Sequence, residues 1–213
     1  MNKTTIRKIS KGYEEIINTL QKDMGYTSEE DLDNMRESAI RSAKGFLEIV
    51  KPVREIKKEV NIILKKSFES SYGGMIVSQN NMVFSFCPHH FLPVAYRITL
   101  AYIPDENGRV LGISKLPRIC VLLAGRPVLQ ETLTMDIADI FSINNASEPS
   151  FNGIQSKGSA VSVEGLHMCM AMRGVKQPSS RMITNELRGC FFESKIKSEF
   201  MSIVTSNRPD TII

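Results

Sequence analysis

The chain has 213 residues, 42% of them hydrophobic and 23% charged, which is typical of a globular protein and excludes a disordered one. Its net charge of +4 by itself argues neither for nor against a nucleic-acid partner, and no apolar run approaches the ~18–20 residues of a membrane helix. Four cysteines make no disulfide scaffold, and the N-terminus lacks the apolar core of a secretory signal, so we expect a cytoplasmic protein that binds neither nucleic acid nor membrane.

The first part of the chain is predicted to be helical. Residues 4–22 and 28–50 have the apolar spacing of two amphipathic helices. Thr27 or Ser28 is the expected N-cap of the second helix, because an acid follows three residues later, as in a capping box. A third helix is expected over residues 52–68, with a proline in its first turn.

A β-rich stretch follows these helices. Residues 75–86 are predicted to form a hairpin that turns at Asn80 and Asn81. Residues 91–104 are rich in β-branched and aromatic side chains and are predicted to form a long strand that ends in a turn at 105–108.

Two further helices are predicted after the strands. The first covers residues 114–125, and its apolar stripe consists of Leu116, Ile119, Cys120 and Leu123. The second covers residues 126–141 and is expected to begin at Pro127. The side chains predicted to face inward from it are Leu129, Leu133, Ile137 and Ile140.

The rest of the chain is predicted to form a loop, a strand and a helix. Residues 142–158 are rich in Ser, Asn, Gly and Pro, which indicates a long loop. A strand is expected over residues 159–173, and a closing helix over residues 193–204 precedes a polar tail.

The histidines of this chain cluster with its cysteines. There are three, His89, His90 and His167, and each lies within three residues of Cys87 or Cys169. Such clustering indicates one shared metal site.

Cys87, His90 and Cys169 are the predicted ligands, because the C-x₂-H spacing lets two side chains reach one ion and Cys169 can supply a third. Two thiolates and one imidazole with an open fourth position are typical of catalytic zinc. A structural zinc, or cysteines buried without a metal, are the alternatives. His89 and His167 then remain as acid/base groups, since histidine titrates near neutral pH.

Alternation along the predicted strand supports this site. One face would carry the apolar side chains Leu166, Met168, Met170 and Met172, and the other would carry His167, Cys169, Ala171 and Arg173. At ~3.3 Å per residue, Arg173 would lie about 13 Å from Cys169, which suits a ligand with its reacting carbon at the metal and its phosphates on cations.

Two helix starts carry further candidates. Ser114 is expected to cap a helix whose first turns present Lys115 and Arg118, an arrangement that favours phosphate. A solvated helix face is the alternative. Gln130 and Glu131 lie in the first turn of the next helix. The Glu131 carboxylate there either stabilises the helix N-terminus through the helix dipole or accepts hydrogen bonds from the donor edge of a guanine.

Six blocks in order resemble the GTP cyclohydrolase I family: "CPHHFLPV", "AYIP", "GISKLPRI", "RPVLQE", "LHMCMAMRG" and "SSRMITNELRG". The resemblance runs from about residue 73 to 204 and is weaker through the N-terminal helices. It implies an α+β tunnelling fold (T-fold), an antiparallel sheet with helices on one face and an N-terminal helical extension. It also implies a homodecamer of stacked pentamers with active sites at subunit interfaces. The expected parts are an N-terminal helical segment at 1–70, a catalytic domain at 71–205 and a tail at 206–213.

The resemblance also implies residue roles. Cys87, His90 and Cys169 would bind Zn²⁺, and His89 and His167 would be the catalytic acid/base groups. Gln130 and Glu131 would hold the guanine of the substrate GTP. Its ribose and triphosphate would be bound by Ser114, Lys115, Arg118 and Arg173. The implied reaction opens the GTP imidazole ring at C8 by hydrolysis, releases formate and forms 7,8-dihydroneopterin triphosphate.

Two features depart from the family pattern. Pro88 stands where glutamate is commoner, and the loop at 142–158 looks longer than in compact bacterial members. The alternatives are a deazaguanine nitrile reductase of the same fold and a non-catalytic protein that binds a purine or pterin nucleotide. The intact zinc set and triphosphate cations disfavour the first, and intact His89, His167 and Glu131 disfavour the second.

Overall fold

A computed structural model describes residues 3–106 and 109–206 of the chain. The chain divides into two compact units, Met1–Lys51 and Pro52–Ile213. Among the described residues, no helix combines the length and the apolar character that crossing a bilayer requires. The predicted domain limits at 70 and 205 stay a prediction.

The first unit is helical, and it corrects one prediction. It contains α1 (Lys3–Met24), α2 (Glu29–Met35) and α3 (Ser38–Ile49), so the helix expected over residues 28–50 is interrupted after Met35. The predicted cap is confirmed at Ser28, whose side chain accepts a hydrogen bond from the backbone N–H of Asp31 at 3.1 Å.

The second unit holds the remaining elements. Its helices are α4 (Val53–Leu64), α5 (Lys115–Ala124), α6 (Gln130–Phe141), α7 (Met168–Ala171) and α8 (Ser194–Ser206). Its strands are β1 (Ser67–Glu69), β2 (Ile76–Phe86), β3 (Pro93–Pro104), β4 (Arg109–Leu111), β5 (Ser156–His167) and β6 (Met182–Gly189). Short 3₁₀ turns lie at Ile143–Asn145 and Cys190–Phe192.

A four-stranded antiparallel sheet in the order β2-β3-β5-β6 organises this unit. Alternate residues of β3, from Val94 through Tyr96 to Tyr102, point into one large core. Side chains of α4, α5 and α6 fill the other side of that core, among them Ile56, Leu123 and Ile137. The predicted α+β class, with an antiparallel sheet and a helical N-terminal region, is therefore confirmed.

The opposite face of the sheet is covered in part. At one end, Phe200 of α8 and Phe191 pack on Ala101 and Ala160. In the middle, the buried guanidinium of Arg97 pairs with Glu164 at 3.3 Å. This face therefore has a polar centre beside an apolar end.

The hairpin predicted within residues 75–86 is wrong. β2 runs straight through Asn80 and Asn81 as one strand, with a register shift between Ser78 and Asn81. Asn80 has a φ of 55°, and the side chain of Asn81 donates to the carbonyl of Ile98 at 2.9 Å, so the local irregularity is a bulge in the ladder and not a chain reversal.

Three other predictions fail around the site. The strand expected to reach residue 173 ends at His167, and Met168–Ala171 is helical, so the alternation of faces stops there. Leu129 does not face inward: it is the N-cap of α6 and is 43% exposed, and the helix does not begin at Pro127. Strand β6 was not predicted.

Other predicted segments hold in part. The loop at 142–158 contains the first 3₁₀ turn and the start of β5, and the Asn144 side chain bonds the backbone of Ser156. The predicted turn at 105–108 and the tail extend into residues 107–108 and 207–213, which lie outside the described residues.

Gly189→Ala is expected to lower the free energy of unfolding by about 1–3 kcal/mol, because Gly189 has φ 55° and ψ −130°, a conformation that L side chains avoid. An added Cβ would also overlap the carbonyl oxygen of Lys157. Urea unfolding followed by circular dichroism measures the loss. Gly73→Ala is the control, since a Cβ there meets no atom within 4 Å, and equal effects of both changes would contradict this account.

Candidate active site

The turn between β2 and β3 places a cysteine and two histidines together. The backbone N–H of Cys87 donates to the carbonyl of Leu92 at 2.9 Å, and that of Phe91 donates to the carbonyl of Cys87 at 2.9 Å. Phe91 has a φ of 52°, which tightens the turn. Residues 88–90 form the tip, so His89 and His90 stay beside the sulfur of Cys87.

Three side chains in this region form a group that can hold a metal ion. The ligand atoms of Cys87, His90 and Cys169 all lie within 4.8 Å of one another. Cys87 Sγ is 3.6 Å from His90 Nδ1, and two tetrahedral ligands at zinc's usual bond lengths lie about 3.6 Å apart. The donor set and its spacing therefore fit zinc.

The cysteines also show why a cation suits this group. Burial raises the pKa of the Cys169 thiol, and the neighbouring Cys87 raises it further. Two sulfurs this close do not readily ionise together without a compensating charge. A divalent cation supplies that charge, because metal binding replaces the thiol protons.

His167 is held by a buried amide from α6. The side-chain NH₂ of Gln130 donates to the backbone carbonyls of Val163 and Met182, each at 3.0 Å, and to the Thr184 hydroxyl at 3.1 Å. Because these acceptors fix the amide orientation, its oxygen faces His167 Nε2 at 2.9 Å. Nε2 of neutral His167 therefore carries the proton, and Nδ1 is the acceptor nitrogen.

Burial of His167 lowers the pKa of its imidazole, and the carboxylate of Glu131 opposes this shift. The ring is therefore mainly neutral at neutral pH. A glycine makes the arrangement possible: a Cβ at position 165 would overlap the Gln130 oxygen and lie 2.9 Å from His167 Nε2.

The remaining predicted residues near this group are His89, Glu131 and Arg173. His89 is exposed, with Nδ1 3.9 Å from Cys87 Sγ. Glu131 is exposed in the first turn of α6. Arg173 is also exposed, and its charge lowers the pKa of the Cys169 thiol, which burial raises. Because α7 is helical, the strand-based spacing of 13 Å for Arg173 no longer applies.

Gln130 differs from its predicted setting. Its side chain is only 1% exposed, and both ends of its amide bond protein groups. The Gln130 side chain thus orients His167 through a hydrogen bond. Contact between its side chain and a guanine stays a prediction.

Ser114, Lys115 and Arg118 form a separate group at the start of α5. Lys115 Nζ donates to the Ile63 carbonyl at 3.0 Å and lies 5.9 Å from the Phe68 ring centroid. Its pKa is lowered by burial and by the nearby cations Lys66 and Arg118. Ser114 occupies the N-cap position, but its side chain makes no capping bond, which corrects the predicted cap.

The contacts of Lys115 are with Ile63 and Phe68, and Arg118 is close enough to lower the pKa of Lys115. Two groups of functional candidates are therefore present within this chain. One contains the possible metal ligands with His167, and the other contains the cations of α5.

Tyr96 and Gly165 were missed as site residues by sequence reasoning. The Tyr96 ring stands edge-on to the His167 ring, with centroids 5.8 Å apart. Strand alternation places Tyr96 on the core face with Val94, which signals burial but not contact with a histidine.

Comparison with known proteins gave a consistent result. A family model described as GTP cyclohydrolase I matches residues 7–205. A "GTP cyclohydrolase 1" of Caldanaerobacter subterraneus is 36% identical over 202 residues, which cover 94% of this chain and 97% of the relative. One of Dehalococcoides mccartyi is 35% identical over 175 residues, covering 82% and 86%.

Solved structures include a more distant match. The archaeosine synthase QueF-Like in the apo form aligns with a TM-score of 0.40 and 18% identity, over 56% of this chain and 97% of that chain.

Alkylation of the metal-free protein is expected to separate the cysteines. Cys169 is partly exposed, whereas Cys120 is fully buried and burial raises its pKa to about 12, so Cys169 should react at least about tenfold faster. Zinc should then protect Cys169. Mass spectrometry of iodoacetamide-treated protein measures both rates.

Cys190 is the matched control for that protection, because it is also partly buried with a raised pKa but lies outside the metal group. Zinc should leave its rate unchanged. Equal protection of Cys169 and Cys190 would show that zinc acts on the whole fold and not at these ligands.

Proposed function

The chain belongs to the GTP cyclohydrolase I family, and we propose that it opens the imidazole ring of GTP at C8 by zinc-dependent hydrolysis. Formate is released, and the rearranged product is 7,8-dihydroneopterin triphosphate. The observation that carries this proposal is the convergence of Cys87, His90 and Cys169 beside an imidazole oriented by Gln130.

The metal ligands in this proposal are Cys87, His90 and Cys169. When bound there, zinc supplies the Lewis acidity that lets water act as a nucleophile at neutral pH. Three protein ligands leave a coordination position for chemistry, which a closed four-ligand site would not.

His167 is proposed as the principal acid/base group. It is neutral at neutral pH because burial lowers its pKa, and its Nε2–H donates a hydrogen bond to the side-chain oxygen of Gln130. Nδ1 is then the nitrogen able to accept a proton from a reacting group and return it later. His89, on the exposed tip of the β2–β3 turn, is the second such group.

The substrate is proposed to lie with its base toward α6. The Glu131 carboxylate is exposed and electrostatically close to His167, so it can accept hydrogen bonds from the N–H donors of guanine. Arg173, whose charge lowers the pKa of the Cys169 thiol, is proposed to bind phosphate near the metal group.

Ser114, Lys115 and Arg118 are proposed to bind ribose and triphosphate from a neighbouring subunit. Lys115 contacts Ile63 and Phe68, and the proposal is that this group faces the metal group of a neighbouring copy of the chain. We propose a homodecamer built from pentamers in the cytoplasm, where a reducing environment keeps thiol ligands available.

Purified protein with GTP is expected to release formate and develop a pterin-like absorbance, and chelation should abolish both until zinc is restored. His167→Ala should lower the rate by about 10²–10⁴-fold while zinc content is retained, because it removes the proton acceptor. Cys190→Ala should change neither quantity. GTP binding without turnover in the zinc-loaded protein would favour a non-catalytic nucleotide-binding protein.

Mixing two inactive variants tests the shared site. Cys87→Ala lacks a metal ligand and Arg118→Ala lacks a phosphate cation, so each alone should release little formate. If the two residues act from different subunits, refolding an equal mixture should restore about a quarter of the sites. No recovery in verified mixed oligomers would place both residues of a site in one subunit.

A further inference from the structure

A buried serine joins the strand that leads to the metal group with the turn that leads to α6. Ser85 is 1% exposed, and its hydroxyl donates a hydrogen bond to the backbone carbonyl of Arg126 at 2.8 Å. Ser85 lies two residues before Cys87. Arg126 lies shortly before Gln130 and Glu131. One hydrogen bond therefore connects the segment that carries a metal ligand with the segment that begins α6.

Strand alternation explains why this serine is buried. Val83 and Ser85 point into the core from β2, and Cys87 continues the alternation just after the strand. Because Val83 and Cys87 belong to the hydrophobic core, a hydroxyl between them is unfavourable unless it is hydrogen-bonded. The carbonyl of Arg126 supplies the acceptor that this hydroxyl requires.

The turn that accepts the bond is also held from its other end. The Arg126 guanidinium pairs with Asp136 of α6 and stands over the Phe151 ring, 5.1 Å from the ring centroid. Pro127 follows, and its ring fixes its own φ and restricts the backbone of Arg126. A stiff turn of this kind transmits the position of the Arg126 carbonyl to the start of α6.

The strand row of Ser85 also leads to the oriented histidine. Ser85 pairs with Val94 on β3, and Val94 pairs with His167 on β5. His167 is hydrogen-bonded to Gln130 on α6. The bond from Ser85 to Arg126 thus closes a ring of contacts that runs through three strands and returns by the turn before α6.

We propose that Ser85 is a positioning residue, which sets the separation between the metal group and the Glu131 carboxylate through its hydrogen bond to Arg126. The inference rests on the proposed function and deepens it. A guanine held by Glu131 presents its C8 to the metal only when that separation matches the base. Removal of the hydroxyl keeps the metal ligands and Glu131 and releases only their relative placement.

Ser159 is a matched control near the other end of α6. It is 0% exposed, and its hydroxyl donates to the backbone carbonyl of Ala138 at 2.7 Å. Ser85→Ala and Ser159→Ala each remove one buried hydrogen bond from a serine to a carbonyl, so both should lower the Tm by a similar amount. Only Ser85→Ala should change the alignment of the substrate.

Steady-state formate release from GTP by the zinc-loaded, full-length protein gives the first readout. Ser85→Ala should lower kcat by about 10–100-fold, because a small misplacement of reacting groups has an effect of this size. KM should change by less than about threefold, since the groups that bind GTP are retained. Zinc content should stay unchanged. Ser159→Ala should keep kcat within about twofold of the unmodified protein.

Amide hydrogen exchange of the metal-free proteins gives a second readout, which does not depend on activity. Ser85→Ala should speed exchange by about two- to tenfold in two peptides at once, one covering residues 86–92 and the other residues 125–131. The two peptides lie at the two ends of the removed bond. Ser159→Ala should leave the exchange of both unchanged.

A kcat of Ser85→Ala equal to that of Ser159→Ala would overturn the inference, while formate release by the unmodified protein would leave the proposed function intact. Unchanged exchange in either peptide of Ser85→Ala would also overturn it. If the unmodified protein released no formate, the proposed function would fail, and the exchange of the two peptides would by itself support or overturn the link through Ser85.

Discussion

The pairing of Val94 with His167 across β3 and β5 is the constraint on which the site depends. β3 begins directly after the turn that carries Cys87 and His90, and β5 ends at His167, two residues before Cys169. Antiparallel pairing brings the start of one strand beside the end of the other. A shift of one residue would turn His167 to the opposite face and separate the sulfurs.

A second constraint is the set of hydrogen bonds made by the buried Gln130 amide. The Gln130 amide reaches from α6 to β5 and β6, where Val163 and Met182 accept its hydrogens. These strands are joined in one ladder, so the amide cannot turn without losing two buried hydrogen bonds. The sheet therefore fixes the orientation of the Gln130 amide, and this orientation determines which nitrogen of His167 carries the proton.

The possible metal ligands and the α5 cations have different surroundings. Cys87 and Cys169 lie against the large core, where burial makes a neutralising cation favourable. Arg118 is exposed, and Lys115 is held by a backbone carbonyl and an aromatic ring. The proposed substrate would therefore meet a partly buried metal group and exposed cations.

The sequence by itself determined the kinds of chemistry, because side-chain identity and short spacings are local. Cys87 and His90 are three residues apart in one turn, and Ser28 caps a helix through Asp31, so both could be predicted from the sequence. Tertiary structure alone decided that Asn80 lies in a bulge and that the strand stops at His167. It also decided that Gln130 orients a histidine 37 positions away and that Tyr96 meets it edge-on. Such contacts depend on strand register and on how a helix end meets the sheet, and local sequence patterns do not encode them.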